Sequence, residues 1–377
     1  MTTTLQTPYG SFELQRRPHN PALQAWDAAD DYLLQMAAQH PAATALLIND
    51  SFGALACALH AAAPVSWSDS YLAHLALQQN WQRNQLPGTC ALLPSTAAPS
   101  ATPALVLWRV PKTQALFAQQ IARLHAVLKP ETVVLAGGMD KHLLPATKTL
   151  LERLGHVDTL PGHKKSHLFR LQVEMGKAAP SEPSARLVTV PELALELQGD
   201  ANVFAADQLD IGARFFIEQF DKLPPAQRIA DLGCGNGVLM LALARARPQA
   251  EIHGFDESYQ AVACARANWQ RNIGTALPAR FHVSDGLQVG AAEKTYDSEP
   301  FDLILCNPPF HQQHVIGDRL ARQLFAQSRQ QLVEGGELWV VGNRHLGYRE
   351  LLRDSFGNCE QVAENKKFVV LRATRRR

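Results

Sequence analysis

The chain has 377 residues, 46% of them hydrophobic, and a formal net charge of +1. That length and apolar content exceed a comfortable single core and predict two domains, while the near-neutral balance excludes a polycation, so any nucleic-acid contact must be a local basic patch. Six widely spaced cysteines without a Cys-x-x-Cys pair suit a reduced protein and argue against zinc. The first residues show no charged stretch leading into an apolar one, and no apolar run approaches the ~18 residues of a membrane span, so the expected location is cytoplasmic.

In chain order, residues 43–53 read as a short apolar strand, a polar turn and an Ala/Leu helix, and the same outline returns at 228–237. Asn80-Trp81-Gln82-Arg83-Asn84 reappears letter for letter as Asn268-Trp269-Gln270-Arg271-Asn272. Ser70 and Ser258 keep the same spacing. Leu107 to Pro111 then align with Leu305 to Pro309, and Lys164-Lys165 with Lys366-Lys367. Matches in constant order with drifting spacing are what a duplicated domain with loop insertions leaves. The expected fold class is therefore α/β, two tandem Rossmann-like domains with the N-terminal one degenerate. Their expected spans are 1–178 and 187–377, joined through the proline-punctuated stretch 176–186.

The two copies diverge at their strand ends. The upstream turn keeps only Gly53, flanked by Phe52 and Leu55, which would crowd a ligand on the backbone, and Arg109-Val110-Pro111-Lys112 stands where Asn307-Pro308-Pro309-Phe310 stands downstream. The first copy is therefore expected to bind no cofactor. Its end is rich in Lys, Arg and His between 141 and 170 and thin in acids, which suggests an RNA-backbone surface centred on Lys164, Lys165 and Arg170. Arg375-Arg376-Arg377 adds a basic tail. His163 and His167 have the spacing of helical metal ligands but follow Pro161-Gly162 with no carboxylate or cysteine near, so no metal is expected.

Downstream, Asp231-Leu-Gly233-Cys-Gly235-Asn236-Gly237 follows a strand and precedes a helix. A dinucleotide fingerprint needs glycine at the sixth place of G-x-G-x-x-G, where this chain has Val238. Free amides at the helix start suit instead a carboxylate such as the amino-acid end of S-adenosylmethionine. Asp256 ends the next strand where a ribose diol needs an acceptor, and Asp285 ends a third, placed for an adenine amine. Glu257 with Ser258 reads as a helix cap. Finally Phe301 to Cys306 reads as a buried parallel strand running into Asn307-Pro308-Pro309-Phe310, whose prolines force the backbone out of the sheet at its ligand-binding edge. The Asn307 amide oxygen and the Pro308 carbonyl can both accept from one planar amine, and Phe310 supplies a flat face. That set fits a nucleobase amino group or a carboxamide.

Taken in order, Asp231 to Gly237, Asp256, Asp285 and Asn307 to Phe310 resemble the class I S-adenosylmethionine-dependent methyltransferases that modify amino groups. Asn-Pro-Pro-Phe-His, the degenerate first copy and Asn202 to Gly212 ahead of the glycine loop narrow the resemblance to the two-domain ribosomal RNA guanine-N2 methyltransferases, most like those of the large-subunit (23S) RNA. The resemblance implies S-adenosylmethionine as cofactor and one rRNA guanine as target. By matching motif, Asn307 and Pro308 would accept from the target amine and Phe310 would stack on the base. One departure is Ala205-Ala206, where the pattern has Ser-Arg. Rival readings are a small-subunit (16S) RNA enzyme, a glutamine or adenine-N6 methyltransferase, and a non-catalytic rRNA-binding assembly factor.

Overall fold

The computed structural model describes residues 2–204, 208–290, 299–308 and 314–376, the side chains of 314–317 excepted. The chain divides into two compact units, residues 1–184 and 185–377.

The first unit opens with the hairpin β1 (Thr4–Thr7) and β2 (Gly10–Glu13). It continues through α1 (Ala28–Ala37), β3 (Ala45–Ile48), α2 (Ala54–Ala58), β4 (Val65–Ser68), α3 (Tyr71–Arg83), β5 (Ala91–Pro94) and β6 (Leu105–Arg109). After these come α4 (Gln114–Leu124), β7 (Val133–Met139), α5 (Thr147–Leu151), β8 (Gly155–Thr159) and β9 (Ser166–Val173). The sheet order is β5-β4-β3-β6-β7-β9-β8, parallel except where β9 runs against β7 and β8.

The second unit repeats this plan. A hairpin of β10 (Arg186–Val190) and β11 (Leu195–Gly199) leads to α6 (Ile211–Ile217), β12 (Arg228–Leu232), α7 (Val238–Ala246), β13 (Glu251–Asp256), α8 (Tyr259–Asn272) and β14 (Ala279–Asp285). There follow β15 (Gln288–Val289), β16 (Phe301–Cys306), α9 (His314–Gln331), β17 (Leu332–Asn343), α10 (Tyr348–Phe356), β18 (Glu360–Glu364) and β19 (Phe368–Thr374). Its order, β15-β14-β13-β12-β16-β17-β19-β18, is that of the first sheet with one short edge strand added. The central strands are covered on both faces and so read as continuous apolar runs: Ile229, Leu303 and Leu305 pack with α7, and Ala230, Leu232 and Ile304 with Phe325 of α9.

The duplicated pentapeptide has a structural cause. Asn80 accepts from the Gln15 amide (3.0 Å) and donates to the carbonyls of Gln15 (2.9 Å) and Phe52 (2.8 Å). Asn268 does the same with the Gln198 amide (2.6 Å), the Gln198 carbonyl (2.9 Å) and the Asn236 carbonyl (2.9 Å). One turn on, Asn84 and Asn272 pair in the same way with the backbones of Glu13 and Glu196. A carboxamide carries one acceptor and two donors, so it completes an N–H and a C=O that would otherwise be orphaned. The repeat is a clamp tying each opening hairpin to a helix and, through Phe52 or Asn236, to the turn ahead of it.

The Ala/Leu helix after residue 53 is present but short, five residues that give way to a 3-10 turn at His60–Ala62, whereas α7 runs for nine. One expectation needs correction: the C-terminal arginines do not begin as a free tail. Arg375 exchanges backbone bonds with Gly335 and Gly336 (both 2.9 Å), and its guanidinium donates to the Leu332 carbonyl. Arg377 lies outside the described residues. Among the described residues, no helix is long and apolar enough to cross a membrane.

Candidate active site

The strand order brings the ends of β14, β13, β12 and β16 side by side. Leu232 pairs with both Phe255 and Cys306, so Gly233, Asp256 and Asn307 each lie one step past those pairs in a row, Asp256 as the last residue of β13 and paired with Val283, with Asp285 at the end of β14 beyond them. At about 4.8 Å per strand, the row spans about 14 Å, room for a nucleoside carrying an amino-acid arm.

The loop after β12 turns through Gly233, Gly235 and Gly237 at φ of 80°, 52° and 81°. The first and last play different parts. A Cβ on Gly233 would meet nothing within 4 Å among the described residues, and the same holds at Gly235, whereas at Gly237 it would lie 3.0 Å from the Ala265 Cβ. Gly237 therefore lets α7 close against α8, while the other two leave the backbone open toward the sheet edge. Gly233 and Cys234 donate to the Phe255 carbonyl (2.8 and 3.0 Å), which holds the loop to β13. Asn236 turns inward: its side chain accepts from Val238 N–H, two residues on, at 3.2 Å, in a turn that leads into α7 at Gly237.

The carboxylates are disposed in three ways. Asp256 accepts from the Gly235 amide (3.0 Å) with one oxygen and from the Ser258 amide (3.0 Å) with the other, so it braces the loop it faces. Ser258 caps α8 by accepting from Ala261 N–H (3.0 Å). Asp285 accepts from Gln323 Nε2 (2.9 Å) of α9, and Gln327 accepts from Leu287 N–H (2.9 Å) just beyond it. Asp231 differs from both. It is fully buried, and among the described residues neither carboxyl oxygen has a partner at hydrogen-bonding geometry, the Met240 amide being the backbone group that favours its charged form. Burial, reinforced by the neighbouring Asp256 charge, pushes its carboxyl up to about 8. A buried acid without a partner beneath an open glycine loop suits a cationic ligand, and the residues present thus fit an amino acid-bearing sulfonium cofactor.

At the end of β16, Asn307 donates from Nδ2 to Asp210 Oδ2 at 3.3 Å, while its Oδ1 is buried and has no partner among the described residues. Pro308 is buried beside it. Pro309, Phe310 and His311 lie outside the described residues, as do Ala205, Ala206 and the side chain of His314. Among the described residues, no cluster of three His, Cys, Asp or Glu could hold a metal ion.

A family described as RLMG N-terminal domain matches residues 2–175, and one described as Methyltransferase small domain matches 194–372. Curated relatives named "Ribosomal RNA large subunit methyltransferase G" include one from Stutzerimonas stutzeri at 49% identity, covering 98% of each chain, and one from Aeromonas salmonicida at 42%, covering 100% of each. The chain belongs to the ribosomal RNA large subunit methyltransferase G family. A solved T. thermophilus 16S rRNA N2 methyltransferase, in complex with AdoMet and guanosine, shares the fold at TM-score 0.77 over 99% of this chain and 98% of its own, with 22% identity.

Within this methyltransferase the first unit differs at the matching turn. Asn49, at φ 60°, stands where Gly233 stands, and Gly53, at 83°, where Gly237 does. The buried Asp50 carboxylate accepts from the amides of Gly53 (3.0 Å), Ala54 (3.1 Å) and Ala56 (2.9 Å). The chain's own carboxylate thus consumes the amides that would greet a ligand's. Phe52 lies under the Arg16 guanidinium, 4.5 Å from the ring centroid, and the Asp50 carboxylate is a further obstacle that the sequence reading missed.

The basic candidates of this unit are partly engaged. Lys164 lies 3.3 Å from Asp31, and Arg170 lies 3.1 Å from Asp158. Lys165 is exposed, with no ion pair among the described residues. Lys164 and Lys165 form the two-residue tip between β8 and β9 at φ of 47° and 62°, closed by paired 2.9 Å bonds between His163 and Ser166.

Sequence reading also missed Asp210, Gln323 and Gln327. Asp210 carried one local signal, as an acid just ahead of a helix, where it caps α6 through Ala213 N–H (2.8 Å). Nothing local announced the two glutamines.

Proposed function

We propose that the chain transfers a methyl group from S-adenosylmethionine to the exocyclic N2 amine of one guanine in 23S ribosomal RNA, in the cytoplasm. The observation that carries this reading is the Asn307 Oδ1: a buried acceptor without a partner among the described residues, held at the strand end next to an open glycine loop. The name that the relatives share supports large-subunit RNA as substrate.

When bound, S-adenosylmethionine supplies an electrophilic methyl group, for which Gly233, Gly235, Asn236, Gly237, Asp231, Asp256 and Asp285 form the cradle. The guanine amine is a poor nucleophile because its lone pair is shared with the ring. Asn307 Oδ1 and the Pro308 carbonyl accept from its two N–H bonds, turn the lone pair outward and stabilise the positive charge that develops on nitrogen. No strong base is required at the outset. Phe310 is assigned the stacking face.

Tritiated S-adenosylmethionine incubated with purified large- and small-subunit RNA, followed by nucleoside analysis, tests the reading. Label in N2-methylguanosine of 23S RNA is expected. Label in 16S RNA, in another nucleoside or in neither RNA overturns it.

We further assign residues 1–178 to RNA binding and 187–377 to catalysis. The tip lysines support this: two non-glycine residues in a left-handed turn cost about 1–2 kcal/mol each, a strain that Asn-Gly would relieve. Lys164→Asn with Lys165→Gly therefore leaves the hairpin at least as stable. Measured across a salt series, the pair should weaken RNA binding equally for different sequences and lower the salt slope by up to ~2. An unchanged slope returns both lysines to ordinary surface.

A further inference from the structure

Asn307 is useful as an acceptor only in one of two orientations. A carboxamide turned by 180° would offer the incoming amine two donors and repel it, and the two forms are alike in shape. Asp210, 97 residues earlier in the chain, removes the ambiguity. Its Oδ2 already accepts from Ala213 N–H at 2.8 Å, and a carboxylate oxygen cannot donate, so the group that approaches it at 3.3 Å must be the Asn307 NH2. The carbonyl end is then turned away from Asp210.

The first unit holds the same pair in a different state. Asp27 caps α1, accepting from Ala29 (2.9 Å) and Asp30 (3.3 Å), and takes two bonds from Arg109, at 2.6 and 2.8 Å. Arg109 follows the end of pairing with β3 as Asn307 follows it with β12, since Ile48 pairs with Trp108 and Leu232 with Cys306. The link from helix-capping acid to strand end is thus common to both copies, and what differs is the residue it holds. Arginine has no acceptor, so the degenerate copy keeps the link and offers an amine nothing.

We propose that Asp210 is the positioning residue of the methyl-transfer site, fixing the Asn307 carboxamide in the orientation that presents Oδ1 to the target amine. This rests on Asn307 being the acceptor. Serine at 210 keeps a good helix cap but is one bond too short to reach Asn307, whereas asparagine keeps an oxygen at full reach. With kcat measured on whichever RNA the wild type methylates, Asp210→Ser should lower it about 10- to 100-fold, leaving the KM for RNA and the Kd for S-adenosylmethionine within about twofold. Asp210→Asn should recover most of that loss. In an Asn307→Ala background, Asp210→Ser should add nothing further, because there is no carboxamide left to orient.

Wild-type kcat in Asp210→Ser overturns the proposal. So does a full additional loss in the Asn307→Ala background, cofactor affinity falling in step with kcat, or an asparagine variant no better than serine. Failure of the 23S guanine reading appears instead in the wild-type product analysis, before any variant is made.

Discussion

Asn307→Ala is expected to lower kcat by about 10²- to 10³-fold, the cost seen when one preorganised polar group is removed from a stabilising site. The Kd for S-adenosylmethionine should stay nearly constant, because the cofactor cradle proposed here belongs to the ends of β12, β13 and β14, not to Asn307. The loss should fall on kcat and kcat/KM together, as for an interaction made chiefly in the transition state. Asn307→Asp retains size and an acceptor while adding a charge. It should keep more activity than alanine if acceptance is the point, although its new carboxylate would face Asp210 across the 3.3 Å now bridged by an N–H. Single-turnover methylation with calorimetry on the same preparations reads both quantities. Methylation by Asn307→Ala at the wild-type rate would mean that the Asn-Pro-Pro turn only shapes the chain.

The second large effect is a pH dependence of cofactor binding that runs through Asp231. Its carboxyl is raised to about 8 by burial and by the neighbouring Asp256 charge, against a smaller lowering by the Met240 amide, so in the free protein it is mostly protonated at neutral pH. Two opposite trends follow. For folding, the native state holds a proton that the unfolded chain has released above its ordinary value near 3.8. Asp231 therefore favours the fold below that value and costs stability as pH rises toward 8, by up to about 1.4 kcal/mol per pH unit.

For binding, the positive charge of the cofactor favours the ionised carboxylate and lowers its pKa, so binding releases a proton. Affinity should rise with pH, by up to about tenfold per unit between 6 and 7.5, and level off near 8. Calorimetry in two buffers of different ionisation heat measures the proton released, and the same titrations should give one site per chain, since Asp50 has already claimed the amides of the first unit. Asp231→Asn should bind with no such slope. If it follows the wild-type pH profile, the proton comes from elsewhere.

Much of this protein lies in contiguous stretches of its sequence. The loop from Asp231 to Gly237 was legible because three tight backbone positions at positive φ call for glycine, and strands buried on both faces leave no polar alternation to hide them. The duplication was legible for a related reason: each copy clamps its opening hairpin, and a carboxamide at that reach pairs with a backbone N–H and with two C=O groups at once, so both copies carry the same asparagines. The end of β16 announced itself through two prolines that no ladder accepts.

Other features depend on partners far apart in the chain. Nothing near Asn307 says that its amide meets Asp210, and nothing near Asp285 says that Gln323 of α9 holds it. Arg375 reads as a tail charge until its guanidinium meets the Leu332 carbonyl, and Lys164 and Arg170 read as free charges until Asp31 and Asp158 arrive beside them. Asp50 reads as a turn residue until the short helix behind it offers three amides to one carboxylate. By itself the sequence determined the elements and the strand ends that bear chemistry, because turn conformation and burial pattern depend on neighbouring residues. The tertiary structure alone decided which of those groups are consumed by the protein and which stay unpaired at the sheet edge, because hydrogen bonding is settled by whatever side chain the packing of distant strands and helices brings within about 3 Å.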